Sequence, residues 1–360
     1  MPIVPPTATT PEYALVIFDK QGREVAEADG SALSETVAAR VAAGDARDVV
    51  VMCHGWLDAL EKARTNYGKW LGAAHPLTWP GERAPLVVGV HWPSTPLAPG
   101  EPPDVPAAMQ PHLADGALQG VLENAGIDVL DFLSFWTMRS RAIALGSSET
   151  GLARLLSRIF AADAGVRVHL VGHSLGCVAL SGALTTVGTA ERHVASFFLV
   201  QAAESSWAFS EQVPFFTGGG GRYRAIVGDG LVDGPLVTTQ SSHDQALTLL
   251  YRLGMEFVLQ RSYAAETPGR PHRAAAIGAE GLGFDPPVPT LHALPPLTQE
   301  SARFALAPGD QYTVDCSAVI TGHKDVAHVE LARLFFAMAG VAMSAAPQPG
   351  DAGDAGAAGA

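Results

Sequence analysis

Val166-Arg167-Val168-His169-Leu170-Val171-Gly172-His173-Ser174-Leu175-Gly176-Cys177-Val178-Ala179-Leu180 is the stretch that decides the fold. Val166, Val168 and Leu170 recur with the period of a strand entering a packed sheet. Gly172 to Gly176 then fits G-x-S-x-G, and an Ala/Leu/Val-rich segment able to form a helix follows. Strand, tight turn and helix are the setting in which this motif presents a nucleophilic serine. The two glycines leave room for a sharp turn that strains Ser174 and points its hydroxyl out of the sheet. The Leu175 N–H then lies at a helix N-terminus, where negative charge is favoured. A chance match is expected roughly 0.2 times in such a chain, so the weight of the motif comes from its flanks. The competing reading is an ordinary Gly-rich turn in which Ser174 caps a helix.

Composition bounds the rest. With 360 residues the chain suits one decorated α/β domain or two small ones. Hydrophobic residues make up 48% and charged residues 16%, which fits much buried parallel sheet. A formal net charge of -13 argues against a nucleic-acid partner or an anionic membrane surface. No apolar run reaches the about eighteen residues that span a bilayer, so no stable membrane insertion is expected. Met1-Pro2-Ile3-Val4-Pro5-Pro6 lacks the basic and apolar regions of a secretory signal. Cys53, Cys177 and Cys316 have no paired spacing and read as small core residues in a reducing compartment. The expectation is a cytoplasmic protein with no cofactor and no metal, its oligomeric state left open.

Taken in order, residues 1–12 read as a disordered tail and those from 345 as a low-complexity one, with a single α/β domain over 13–344. Tyr13–Phe18, the turn Asp19-Lys20-Gln21-Gly22 and Arg23–Ala26 predict an antiparallel hairpin. Asp48–Cys53 is a continuous apolar strand running into His54-Gly55-Trp56 and a helix from about Asp58 to Leu71. Further strands are expected at Pro85–Ser94, where Pro93 stops the run, Ser196–Gln201, Gly234–Ser241 and Gln311–Ile320. The dense Pro, Ala and Gly of 95–120 start a small cap insertion over 95–146, and 262–310 reads as a long surface excursion. Within the cap the aromatics read as core, except that Trp136 suits core or substrate contact equally. Leu152, Leu155, Leu156, Ile159 and Phe160 mark a clear amphipathic helix. The class is therefore α/β: a mostly parallel twisted sheet with an antiparallel N-terminal hairpin and helices on both faces.

Strand–helix alternation with Ser174, then an Asp, then a His in chain order is the order of the α/β-hydrolases, and the chain resembles that superfamily apart from its two tails. More narrowly it resembles bacterial serine esterase-like hydrolases. The phrases that carry this are Trp92-Pro93-Ser94, Met138-Arg139-Ser140-Arg141-Ala142, His169 to Ser174, Asp244-Gln245-Ala246-Leu247 and Gly322-His323. The resemblance implies a nucleophile elbow and a small-molecule ester substrate. It also implies a cut through an acyl-enzyme by Ser174, His323 as general base and acid, and Asp244 as the orienting carboxylate. His-Gly after the strand at 48–53 suggests Trp56 N–H as an oxyanion donor, paired with Leu175 N–H.

Alternatives stand beside several of these assignments. His328 and His173 compete with His323; Glu204 competes with Asp244, whereas Asp229 and Asp233 fall in a Gly-rich turn. The spacing His323-x-Asp325-x-x-His328 could hold a metal, although Asp325 serves more simply as a helix cap. The leading expectation is hydrolysis of an ester with an uncharged or moderately apolar acyl group. Acyl transfer on the same residues, or a non-catalytic binding protein, are the other readings.

Overall fold

The computed structural model describes residues 3–345 apart from 57, 99, 115, 190, 214–218, 260–269 and 302, so the expected C-terminal tail lies outside the described residues. Within them one sheet is built from β1 (Ile3–Val4), β2 (Tyr13–Ile17), β3 (Asp48–Cys53), β4 (Leu86–His91), β5 (Arg167–His173), β6 (Ser196–Val200), β7 (Leu236–Gln240), β8 (Leu291–Leu294) and β9 (Gln311–Asp315). The spatial order is β1-β2-β4-β3-β5-β6-β7-β9-β8. Every pairing is parallel except β1 with β2. The described helices are α1 (Leu33–Ala42), α2 (Leu60–Ala74), α3 (Gln110–Ala114), α4 (Ala117–Asn124), α5 (Val129–Ser147) and α6 (Leu152–Ala162). They continue as α7 (Leu175–Val187), α8 (Ala225–Gly228), α9 (Arg252–Leu259), α10 (Ile277–Glu280) and α11 (Val329–Ala345).

Alternation along the strands sorts the core into two layers. Val49, Val51 and Cys53 of β3, with Val168 and Leu170 of β5, face α1, α5, α6 and α7. Val50 and Met52 of β3, with Val171 of β5, face α2 and α11. Both faces are thus covered, as a parallel sheet requires, and the strand ends are left to carry loops. No helix among the described residues is long and apolar enough to cross a membrane.

Four expectations need correcting. Residues 1–12 are not simply a disordered tail: Ile3 and Val4 pair with Ala14 and Tyr13 and pack one on each core layer. That strand, not 23–26, is the antiparallel edge. The expected hairpin shrinks to a Phe18–Glu24 bridge with the Val25 N–H bonded to Ile17 O at 2.8 Å; the Glu24 carboxylate accepts the Ser34 N–H at 2.8 Å, and Val25 is exposed. The cap is shorter than 95–146, since α5 packs along α7, where a Cβ on Gly146 would meet Ala179 O at 2.3 Å. The described part of 262–310 is not a surface excursion. Ala274 to Ile277, Leu282 and Phe284 are buried, and β8 extends the sheet.

At the bottom of the sheet, where β3 and β5 begin, Asp48 is 3% exposed and gathers three partners. Arg167 donates to it from Nε at 2.7 Å and Nη2 at 3.0 Å, His169 Nε2 lies at 3.4 Å, and Trp79 Nε1 donates at 3.4 Å. Burial alone would raise the Asp48 carboxyl, but His169 and Arg167 outweigh it and hold it below its ordinary value. Asp48→Asn keeps the shape and leaves Arg167 short of its counter-charge. We expect urea unfolding to show a loss of about 2–4 kcal/mol with unchanged slope; a loss under about 0.5 kcal/mol would mean that solvent compensates the pair.

Candidate active site

The ends of β3 and β5 meet so closely that side chains are excluded. A Cβ on Gly176 would lie 2.1 Å from Cys53 O, and one on Gly55 would lie 2.6 Å from Ser174 Cβ. Between those contacts Ser174 takes φ 54 and ψ -123, positive φ in a residue with a side chain. Such backbone costs on the order of 1–3 kcal/mol and persists only where its surroundings enforce it. Leu175 opens α7 immediately after Ser174, so its N–H is one of the leading donors without an intrahelical acceptor.

Three of the singled-out side chains come together in line. His323 Nε2 is 2.7 Å from Ser174 Oγ, and His323 Nδ1 is 2.7 Å from Asp244 Oδ2. A carboxylate oxygen can only accept, so Nδ1 carries the proton and Nε2 is left to take one from the serine. Asp244 is wholly buried and its carboxylate meets three donors, His323 among them. Oδ2 also accepts from Gln201 Nε2 at 2.8 Å, and Oδ1 accepts from Leu247 N–H at 3.0 Å. Burial would raise this carboxyl; the His323 charge and hydrogen bond, with Leu247 and Gln201, outweigh it and hold it below the ordinary value.

Gln201, at the end of β6, went unremarked in the sequence. It is buried, has φ 45, and its amide is fixed on both ends. Nε2 also donates to Gly278 O at 3.1 Å, while Oε1 accepts from Thr239 Oγ1 at 2.9 Å. A polar residue closing the apolar run Ser196–Val200 was the available signal. The 270s segment missed as core supports the same corner: Ile277 N–H bonds Glu204 O, and Ser241 N–H bonds Gly278 O.

The loop of the second expected donor is equally constrained. His54 Nδ1 donates to Gly55 O at 2.9 Å, His54 N–H bonds Tyr67 Oη at 3.0 Å, and Trp92 Nε1 donates to His54 O at 3.0 Å. His54 Nε2 therefore accepts, from His91 Nδ1 at 3.1 Å. Burial pushes both imidazoles down to about 4, so both are neutral near pH 7. Trp56 follows directly, its ring against Phe135 at 5.7 Å.

The rivals fall elsewhere. His328 Nε2 bonds Asp325 Oδ1 at 2.8 Å, and Asp325 Oδ2 takes the Thr321 N–H and hydroxyl, so this trio closes a turn. His173 is a support: its Nε2 donates to His323 O at 2.8 Å, and burial pushes it down to about 3. Glu204 accepts from Ser181 Oγ at 2.8 Å and has no bond to His323. A cavity of about 100 Å3 lies toward α2 and α11, lined by Tyr67, Trp70, Val171, His173 and Lys324, but Ser174 does not line it. No family model, curated protein or solved structure matches the chain, so its own geometry carries any functional reading.

Burial pushes the Glu204 carboxyl up to about 8, well above the value of an unfolded Glu. The folded form holds a proton that the unfolded form has lost between those two values, so the contribution of Glu204 to stability falls as pH rises from about 4.5 to about 8. Glu204→Gln removes that proton linkage. Its thermal midpoint should gain on wild type's as pH rises over that interval and exceed it at the alkaline end. Parallel pH profiles for the two proteins would contradict burial of a neutral carboxyl.

Proposed function

We propose that the protein is a serine hydrolase of the α/β-hydrolase fold that cleaves a carboxylic ester through an acyl-enzyme. The observation that carries this reading is the continuous hydrogen-bonded line from Ser174 Oγ through His323 to Asp244, both links at 2.7 Å. The strained serine between strand and helix, the parallel sheet covered on both faces, and the Ser–Asp–His chain order support it.

In this reading Ser174 Oγ attacks the ester carbonyl as its proton passes to His323 Nε2, and the carbonyl oxygen gains the negative charge. The backbone N–H groups of Trp56 and Leu175 receive that oxyanion. Collapse expels the alcohol, which takes the proton from Nε2, and leaves the acyl group on Ser174. Water then repeats the sequence and releases the acid. Asp244 stays ionised throughout, holding Nδ1–H and stabilising the imidazolium. Preorganised donors make the charge separation tolerable, because they need no rearrangement as the charge appears.

Ser174→Ala should abolish hydrolysis of 4-nitrophenyl esters and adduct formation with a fluorophosphonate; wild-type turnover in that variant would sink the mechanism. Asp244→Asn must set its NH2 against Leu247 N–H or against the Gln201 and His323 donors. It should lower kcat by about 10³–10⁴, whereas Glu204→Gln should cost about tenfold or less. The reverse ranking would move the acid to Glu204. Gln201→Leu removes one donor from Oδ2 without touching substrate, and should lower kcat by about tenfold with KM little changed. A change confined to KM would assign Gln201 to substrate binding instead.

A further inference from the structure

An aromatic row crosses from one side of the site to the other. Trp56 meets Phe135 at 5.7 Å, Phe135 meets Trp136 at 5.8 Å, and Trp136 meets Tyr251 at 5.9 Å. Trp56 follows the loop that backs onto Ser174, and Tyr251 ends a π-helical stretch, Ala246–Tyr251, that begins just after Asp244. The guanidinium of Arg139 lies over this row, 5.4 Å from the Trp136 ring and 5.9 Å from the Tyr251 ring. No described carboxylate forms an ion pair with Arg139, although its charge is felt by Glu204, Tyr223 and Tyr251.

Around that cation the polar atoms are unspent. Trp136 Nε1, Arg139 Nε and Glu204 Oε2 are buried, with no hydrogen-bond partner among the described residues, and the buried Tyr251 hydroxyl has Arg139 and Ser205 beside it. Trp136, Tyr251 and Glu204 are each at most 1% exposed. Each of these groups can donate: an indole N–H, a phenol hydroxyl, a guanidinium N–H, and a carboxyl that burial keeps protonated near pH 7. An unsatisfied buried donor is costly, and so dense a set is foreign to an ordinary core. What fits is a guest rich in acceptors and negatively charged.

The position of the cluster says which half of an ester would bring that charge. His323, which returns the proton to the leaving alcohol, sits in the loop before α11. The donors lie in the opposite layer, and Glu204 is bonded by Ser181, two turns along the helix that Ser174 begins. Two turns of helix rise about 10 Å, the reach of an acyl chain of moderate length. We propose that the acyl group carries a terminal carboxylate, and that Arg139, with Trp136, Tyr251 and Glu204, receives it. This rests on the serine-hydrolase reading above and departs from the uncharged acyl group that the sequence alone suggests.

The test compares 4-nitrophenyl half-esters of succinate, glutarate, adipate and suberate with neutral 4-nitrophenyl esters of matched chain length. The expected result is a kcat/KM at least about tenfold higher for the best half-ester than for its neutral match. In Arg139→Met that ratio should fall by about tenfold or more, and Arg139→Lys should restore part of it. If Arg139→Met fails to fold, protection of wild-type Ser174 from fluorophosphonate by free adipate or suberate, but not by the corresponding neutral alcohols, gives the same answer. An equal or inverted preference in wild type, or a ratio unmoved in Arg139→Met, overturns the proposal and leaves ordered water as the guest. A wild type that neither labels at Ser174 nor cleaves any of these esters sinks the serine-hydrolase reading itself, and this inference with it.

Discussion

The contact on which the structure turns is that between the ends of β3 and β5, where Cys53 O and His54 O approach Gly176 closer than any side chain would allow. Because that space is closed, the chain leaving β5 must turn at Ser174, and the turn is possible only with a positive φ there. The strain is offset by what surrounds it. Ser174 N–H bonds Val200 O at 3.1 Å, and Ser174 O accepts from Cys177 N–H at 3.1 Å and Ala203 N–H at 3.2 Å. The serine is thereby fixed by three neighbouring segments at once. A hydroxyl held this way loses little freedom on meeting an imidazole, which is the entropic part of positioning a nucleophile.

The opposite end of the line is held by a different device. Asp244 sits two strands away from β5 in a fully buried corner, and such a carboxylate is tolerable only if its lone pairs are met. Gln201 meets one of them at the expense of its own backbone, a second positive φ at the end of β6. Two strained residues thus lie at the ends of β5 and β6, each aiming a side chain at the same imidazole or its partner. Local strain of this kind is a common mark of a working site, and here the two instances share one hydrogen-bonded line.

What the sequence discloses divides along the same lines. Ser174 was legible because the strand before it and the helix after it are each periodic over many residues. Asp244 and His323 were legible as positions after strands, but choosing Asp244 over Glu204 needed the corner that encloses them. Both residues follow apolar strands and both are buried; only the three donors to Asp244, against the single Ser181 hydroxyl at Glu204, separate a charged acid from a neutral one. Gln201 was invisible because its role lies in φ and in contacts to Thr239 and Gly278, neither near in sequence. The segment from Ala274 to Phe284 was misread for a related reason. Small residues pack by backbone approach, as when a Cβ on Gly278 would meet Gln201 Cα at 2.7 Å, and such packing leaves no hydrophobic period to detect.

The distribution of charge around His323 follows from burial more than from composition. Three histidines crowd the site, and burial keeps all three neutral near pH 7: His54 and His91 at about 4, His173 at about 3. Burial does the reverse to Glu204 and leaves it protonated. Three potential positive charges are thus switched off around one imidazole, while Asp244, with its donors, stays ionised. In the proposed reaction a proton arriving on His323 Nε2 has the Asp244 carboxylate on the far side of the ring at Nδ1. In that reaction the arrangement would stabilise the imidazolium. It also explains why neutral histidines suit the support positions: His173 and His54 each donate one N–H to a backbone carbonyl, and neither adds a positive charge that would oppose the one His323 must carry.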